Sequence, residues 1–175
     1  ASPSFSILEN GDLIIKAVIP SPQGDIVKYF RLFDSEEKIT ISYDLSKLRR
    51  KISTAKIGNF TLSSSFSKAL KSYSCNLGGN SLQNFTVNSS FEHSGPATRF
   101  VSSSRGFSST NGEIQLGFAN KDLYFTWDQA ECFALCFLDH ENEYTRLAFS
   151  VCEFDETSRE SESYGNISVT ISPKK

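Results

Sequence analysis

The sequence predicts an all-β fold, an antiparallel two-sheet sandwich or a closed barrel, built from two meanders with one or two short helices. Four short apolar runs between residues 113 and 154 follow one another with only polar breaks between them. Strands joined by such short connections pair antiparallel, because a parallel pair needs a crossover of about a dozen residues. Asn10-Gly11 adds a hairpin signal near the start of the chain.

The size and composition of the chain fit one β-rich domain covering residues 1–175. The hydrophobic fraction of 38% is modest, but 15 residues are phenylalanine. Phenylalanine brings a large apolar area per residue, so a few of them can form a core. The net charge of −2 lacks the basic surplus of a general nucleic-acid binder, and no apolar run is long enough for a membrane-spanning helix.

The first meander covers residues 4–43. Apolar runs between turn signals predict four strands, at residues 4–9, 12–19, 26–33 and 39–43. Asn10-Gly11 is predicted to form a two-residue type I′ turn, a Pro- and Gly-containing break occupies 20–25, and a charged turn occupies 34–38.

The middle of the chain predicts shorter elements. Asp44 is placed to cap a short helix over 44–52, and the apolar spacing within 63–73 predicts a second short helix. The remaining predicted elements are strands at 57–62, 83–91 and 98–102, a Gly-Gly loop at 75–82, a turn at 93–97 and a Ser/Gly loop at 103–112.

The second meander begins at residue 113. Its predicted strands are residues 113–118, 122–127, 132–138 and 145–154, and a last strand follows at 165–172. Residues 132–138 are apolar at every position, which we interpret as a strand buried on both faces; a helix capped by Asp128 and Glu131 is the alternative. Because each meander has one apolar face, the two are expected to cover each other.

Four cysteines are candidates for disulfide bonds: Cys75, Cys132, Cys136 and Cys152. An even number permits two disulfides. Cys132 and Cys136 stand among apolar residues, where cysteine also occurs as a buried thiol, so both interpretations stay open. A single Cys-x₃-Cys pair is too weak to predict zinc, and we expect no metal or cofactor.

Four Asn-x-Ser/Thr sequons are candidates for N-glycosylation, at Asn59, Asn84, Asn88 and Asn166. The composition of the chain would give about two sequons by chance, so the excess is small. The excess favours a secretory route, as does the even number of cysteines.

The basic run at residues 47–51 has the charge to contact phosphate or an acidic partner. Residues 172–175, Ser-Pro-Lys-Lys, are a candidate proline-directed phosphorylation site or minor-groove contact. We interpret the first as a solvated helix face and the second as a frayed terminus. Trp127, the single tryptophan, is expected to be partly buried with its indole N–H bonded to backbone or water.

The sequence does not predict an enzyme. Only His93 and His140 are histidines, and both stand in predicted polar turns, so we expect them at the surface. A Ser–His–Asp arrangement remains formally open because serine is abundant, but the sequence lacks nucleophile-elbow, zincin, Walker and dinucleotide-binding motifs.

These observations predict a non-enzymatic binding module. We expect a secreted or cell-surface glycoprotein domain that engages a protein or a glycan, with its long loops available for recognition. The alternative is an intracellular assembly domain of a multi-protein complex. The sequence does not define the oligomeric state.

Overall fold

A computed structural model describes residues 2–48, 55–78, 81–92, 108–131, 134–151 and 165–174. The described residues form thirteen strands and one short helix, α1 (Ser64–Ala69). In chain order the strands are β1 (Ser4–Ile7), β2 (Leu13–Ser21), β3 (Gly24–Leu32), β4 (Ile39–Asp44), β5 (Ala55–Leu62), β6 (Leu70–Cys75), β7 (Gln83–Thr86), β8 (Phe91–Glu92), β9 (Glu113–Phe118), β10 (Asp122–Thr126), β11 (Ala134–His140), β12 (Thr145–Val151) and β13 (Asn166–Lys174).

The strands form two antiparallel sheets that pack face to face. The larger has nine strands in the order β1-β2-β3-β4-β13-β10-β9-β6-β7, and the smaller has four in the order β5-β12-β11-β8. The predicted all-β sandwich is therefore confirmed. The chain does not form the closed barrel that was the alternative, because both sheets keep open edges.

The first meander is confirmed, since β1 to β4 pair consecutively. Its first loop differs from the predicted two-residue turn. The Leu8 N–H donates to the Asp12 carbonyl and the Gly11 N–H donates to the Leu8 carbonyl, each at 2.9 Å. Gly11 has φ +88°, in the left-handed region. These bonds define a three-residue loop that closes on a left-handed glycine.

The predicted break at 20–25 is shorter than expected. β2 continues to Ser21 and β3 begins at Gly24, so Pro20 lies inside a strand and pairs with Asp25. β1 pairs with β2 only as far as Lys16. On that side of Pro20 no described strand requires the N–H that proline lacks, so the residue is tolerated there.

The second meander does not exist as a continuous sheet. β9 pairs with β10 in the larger sheet, whereas β11 pairs with β12 in the smaller one. β10 cannot pair with β11 because its two hydrogen-bonding edges are occupied by β9 and β13. The strand interpretation of 132–138 is confirmed for the residues described, since β11 begins at Ala134.

Two helix predictions need correction. Residues 45–48 form a turn closed by the Leu48 N–H and the Leu45 carbonyl, and Asp44 accepts bonds from the Ser46 N–H and hydroxyl instead of capping a helix. Residues 49–54 lie outside the described ranges. The helix predicted within 63–73 is confirmed only as α1, because the backbone is extended again from Leu70.

The remaining differences concern residues 83–112 and the chain end. The strand predicted over 83–91 is two short strands, β7 and β8, which belong to different sheets. The turn at 93–97 and the strand at 98–102 lie outside the described residues. The last strand is confirmed and continues to Lys174, pairing with β10, so the expected frayed tail is wrong as far as that residue.

An aromatic cluster joins the two sheets. Phe149 of β12 lies 5.5 Å from Trp127 and 6.3 Å from Phe125 between ring centroids, and 5.9 Å from Phe60 of its own sheet. Phe149 is fully buried. Aromatic rings at these separations add to the stabilisation that burial alone provides.

A backbone irregularity brings β5 close to the larger sheet. Gly58 has φ +62° and lies where β5 holds one residue more than β12, which defines a β-bulge. The Gly58 N–H donates to the Tyr43 hydroxyl of β4 at 3.0 Å. Because a glycine tolerates this backbone conformation, the bulge can direct its N–H toward the other sheet.

The smaller sheet covers only part of the larger one. Among the described residues, β1 and β2 contribute nothing to the core between the sheets, and only the partly buried Ile26 and Phe30 of β3 pack against it. Val27 of β3 is also buried, but strand alternation places it on the opposite face from Phe30. We call β1, β2 and β3 (residues 4–7, 13–21 and 24–32) the overhang. Its face on the core side continues past the edge of the smaller sheet.

We expect Phe149→Ala to lower the free energy of unfolding by about 3–5 kcal/mol, because it leaves a cavity between the sheets. Chemical denaturation of the wild type and the variant measures this difference. Leu77→Ala is the control, since Leu77 is 45% exposed and its truncation should change stability by less than about 0.5 kcal/mol. Equal losses from both substitutions would contradict the packing described.

Candidate recognition site

Two of the four candidate disulfide cysteines lie within the described residues. Cys75 of β6 and Cys136 of β11 are both fully buried thiols, not joined in a disulfide. Burial raises the pKa of the Cys75 thiol, because an apolar environment disfavours the thiolate. The structure thus gives no support to a disulfide at these two positions. Cys132 and Cys152 lie outside the described residues.

His140 is buried rather than at the surface, so the sequence prediction is wrong for this residue. It ends β11, which pairs with β12 and with β8, and the Phe91 ring lies 5.7 Å from its own. The His140 Nδ1 lies 2.9 Å from the Thr145 hydroxyl. Burial lowers the pKa of His140, with a smaller opposing effect from Glu141. His93 lies outside the described residues.

The arrangement around His140 does not resemble a catalytic triad. Successive residues of a strand point to opposite faces, so Asp139 points away from the imidazole. There it forms an ion pair with Arg146 Nη2 at 3.0 Å. The hydroxyl that does reach the imidazole belongs to Thr145, which is fully buried and therefore closed to a substrate.

The four sequon asparagines are all exposed. Asn59 lies on β5, Asn84 on β7, Asn88 in the following loop and Asn166 at the start of β13. Asn84 Oδ1 accepts a bond from the Ser74 hydroxyl at 3.0 Å. Exposure is a requirement for glycan attachment, but glycosylation at these four residues stays a prediction.

Three further sequence features lie wholly or partly within the described residues: the chain end, the basic cluster and the single tryptophan. Ser172 and Pro173 lie in β13 opposite β10. Of the basic cluster 47–51, only Lys47 and Leu48 lie within the described ranges. Trp127 is buried, as expected, but its indole nitrogen has no hydrogen-bond acceptor among the described residues.

Neither metal ligation nor membrane spanning is indicated by the described chain. Its His, Cys, Asp and Glu side chains form no cluster of three or more that could hold a metal ion. Within the same ranges, no helix combines the length and the apolar character needed to cross a bilayer.

A concave surface with a largely apolar lining lies where α1 meets the turn between β9 and β10. This concavity, which we call the end pocket, has a volume of about 360 Å³. Its lining comes from α1, the β9–β10 turn and the end of β13: Ser65, Phe66, Ala69, Phe118, Ala119, Asn120, Lys121, Asp122, Leu123 and Pro173.

The aromatic wall of the end pocket is a pair of phenylalanines. Phe66 of α1 packs edge-on against Phe118 of β9, with ring centroids 5.8 Å apart and planes at 80°. Phe66 nevertheless remains 52% exposed. Phe66 and Phe118 therefore give the end pocket an exposed, held aromatic surface.

The charged groups at the rim of the end pocket are already paired. Lys121 Nζ lies 3.0 Å from Glu37 Oε2, and Asp122 Oδ2 accepts a bond from Gln115 Nε2 at 2.6 Å. Both interactions hold polar side chains at the edge of an apolar floor. The sequence did not reveal this site, because Phe66 stands in a serine-rich stretch and meets Phe118 only through the fold.

A second concavity, of about 550 Å³, lies beside β7. Its wall includes Tyr73 and Phe85, which stack with centroids 4.9 Å apart and planes 16° from parallel. Two sequon asparagines, Asn84 and Asn88, also line it. Aromatic rings beside amide groups suit a sugar, but glycans attached at these asparagines would occupy the same space.

No protein-family model matches the chain, and no curated protein matches it. Among solved structures, the chain is similar to the Slr1438 protein of Synechocystis sp. PCC 6803, with a TM-score of 0.50 and 8% sequence identity. The match covers 98% of this chain and 64% of that one. At this identity the likeness shows a shared fold alone.

We expect the stability of the wild type to fall more steeply between pH 7.5 and 5 than that of His140→Gln. The folded-state pKa of His140 lies below its unfolded value of about 6.5, so the unfolded chain binds a proton more readily. The stabilisation is present above the unfolded pKa and is lost as the pH falls through the folded pKa.

Denaturant titrations at several pH values provide the measurement. Both proteins carry the same carboxylates, so their difference isolates the imidazole. Parallel pH profiles for the two would contradict the buried neutral histidine.

Proposed function

We propose that this chain is a non-enzymatic protein-recognition module, and that the end pocket receives an apolar anchor side chain of a partner protein. The observation that carries the proposal is the half-exposed Phe66, held edge-on against Phe118. Both rings line the end pocket together with Leu123 and Pro173.

The size of the end pocket supports an anchor residue. A volume of about 360 Å³ lies at the lower end of small-molecule sites, which run from about 300 to 1,000 Å³. It is enough for one or two large side chains. An apolar centre inside a polar rim is the usual anatomy of an energetically dominant contact in a protein interface.

A protein fits the end pocket better than a glycan does. A sugar presents hydroxyl groups that need hydrogen-bond partners, whereas the pocket wall is formed by Phe66, Phe118 and Leu123. The rim groups Lys121 and Asp122 are engaged with Glu37 and Gln115. Lys121 and Asp122 can orient the backbone of a partner protein that passes over the rim. The rest of the pocket lining contacts the partner mainly through apolar groups.

We expect Phe66→Ala to weaken binding of end-pocket peptides by more than about tenfold, since about 1.4 kcal/mol accounts for that factor and a central aromatic contact commonly exceeds it. A displayed library of random peptides, selected on immobilised wild type, provides the probes. Peptides with a recurrent Phe, Leu, Trp or Ile anchor are the expected result. Affinities for wild type and variant are then compared in solution.

Leu82→Ala is the matched control, because Leu82 is a similarly exposed apolar residue outside the end pocket and should leave binding unchanged. Phe66→Ala should cost only about 0.5–1.5 kcal/mol of stability, so a folded variant is available. Selected peptides that bind wild type and Phe66→Ala equally, or a library without binders, would reject the end pocket as a recognition site.

For the compartment, we propose a secreted or cell-surface glycoprotein. The four exposed sequon asparagines support this proposal. Burial of Cys75 and Cys136 as thiols supports the alternative of an intracellular assembly domain, because reducing compartments preserve thiols.

We expect an amidase that removes N-glycans to lower the apparent mass of the protein isolated from its native source. The reason is that each of the four asparagines is accessible for attachment. Thiol titration of the denatured, unreduced protein accompanies the mass measurement. An unchanged mass together with four titratable thiols would replace the secreted assignment with the intracellular one.

A further inference from the structure

The pairing of residues across β1 to β4 shows which side chains of the larger sheet face the core side, as far out as the edge strand β1. Phe5 of β1 pairs with Ile15, which pairs with Phe30, which pairs with Ile41. Residues directly opposite each other point to the same side of a sheet. Ile41 belongs to the buried core, so Phe5 and Ile15 also point to the core side.

A second row of apolar residues runs beside the first. Ile7 pairs with Leu13, Leu13 with Leu32, Leu32 with Ile39 and Ile39 with Ile171. Ile171 packs against the core, so this row also faces the inner side. The overhang therefore presents two adjacent apolar rows on the face that the smaller sheet covers elsewhere.

The apolar rows remain exposed at the outer end of the overhang. Phe5 is 79% exposed and Ile7 is 72% exposed. β1 is also an edge strand whose outer side pairs with no described strand, and its sequence Ser-Phe-Ser-Ile has none of the charges or prolines that usually protect an edge. An exposed apolar face beside an unprotected strand edge is a surface on which chains commonly associate.

The smaller sheet ends beside the overhang at β5, and its edge stands above the overhang like a step. This strand is an edge of the smaller sheet, and its Gly58 N–H bonds to Tyr43 of β4. The smaller sheet thus ends near β4, and the overhang continues beyond it. The height of the step is the spacing between packed sheets, about 10 Å, and any sheet placed on the overhang would fill the layer beside β5.

We propose that a second copy of this chain covers the overhang, face to face, through a two-fold axis parallel to the sheets. The overhang of each copy then lies on the apolar rows of the other and continues the layer of the other copy's smaller sheet. Each layer holds nine strands from one copy and four from its partner. The surface shares no residue with the end pocket, so this inference is independent of the proposed function.

A second copy fits this surface because the surface is self-complementary. A two-fold partner presents the same apolar rows and the same step, which gives an isologous interface. Any other partner would have to supply an apolar sheet of matching thickness. The one cation on this face, Lys28, has its Nζ over the rings of Phe30 and Tyr43, at 4.5 and 5.1 Å from their centroids. Those contacts reduce the charge that dimerisation has to desolvate.

The area of the overhang predicts a concentration-dependent dimer. Three strands about 4.8 Å apart and up to about 30 Å long give roughly 400 Å² of sheet face per copy. This is about half of the roughly 800 Å² per partner found in stable complexes, before the contacts beside β5 are added. The dimer should therefore dissociate on dilution.

Sedimentation velocity over a wide micromolar concentration range tests the proposal. We expect the mass of the wild type to rise from 19.5 kDa toward twice that value. Phe5→Glu should raise the dimer dissociation constant by more than about tenfold, because it places a charge between the two apolar faces. Phe5 is largely exposed in the monomer, so the variant should keep its unfolding midpoint at low concentration.

Ser6→Glu is the control that distinguishes two modes of association. Ser6 lies on the same strand but points to the outer face, so it should leave the face-to-face dimer intact. Pairing of β1 with β1 of a second copy, edge to edge, would be disturbed by both substitutions. Equal loss from Ser6→Glu and Phe5→Glu overturns the proposed mode, and a wild type that stays at 19.5 kDa throughout overturns the dimer itself.

Phe66→Ala separates this inference from the proposed function. It should leave self-association unchanged, because Phe66 lies outside the overhang. A loss of the dimer in Phe66→Ala would show that the copies meet through the end pocket and would overturn the overhang interface.

Discussion

Packing of Phe149 against Phe125 and Trp127 is the interaction on which the arrangement of the two sheets depends. These rings fix the centre of the smaller sheet over β10 and its neighbours. The bond from Gly58 to the Tyr43 hydroxyl then fixes the edge of that sheet at β4. With both positions set, four strands cannot reach β1 and β2. The uncovered face is therefore a consequence of where the aromatic contact lies, not of an irregularity in the larger sheet.

The same packing separates the interior of the molecule from the end pocket and the overhang. Cys75, Cys136 and His140 carry reactive side chains, but all three are buried where the two sheets overlap. Burial raises the pKa of Cys75 and lowers the pKa of His140, so it favours the neutral form of each side chain. All three side chains therefore belong to the packed interior of the described structure. Of the large apolar side chains that remain exposed, Phe66 lies at the end pocket, and Phe5, Ile7 and Ile19 lie on the overhang.

Local sequence patterns identified most strands but could not assign them to sheets. The runs at 113–118 and 39–43 were recognisable because each depends on its own residues and the adjacent turn. Sheet membership depends on β13, which enters between β4 and β10 from a distant part of the chain. That insertion separates β10 from β11 and divides the predicted second meander. His140 was misplaced for a related reason, because β8 and Phe91 cover it from a segment that its own polar surroundings do not indicate.

The end pocket and the overhang could not be predicted from the sequence, because both arise where one sheet leaves part of the other uncovered. An alternating strand such as Ser4–Ile7 predicts that one face will be buried. The pattern does not indicate whether a second sheet extends far enough to cover that face. Phe66 is ambiguous in the same way, since helical spacing marks it as a core residue although the helix ends at Ala69. Phe5 and Phe66 both follow the sequence pattern of core residues, but the fold places both of them outside the core. An apolar side chain whose pattern is that of the interior but whose position is outside it has to be covered by another molecule or remain in water, and water is the less favourable of the two. This imbalance is the physical basis of the association proposed for the end pocket and the overhang.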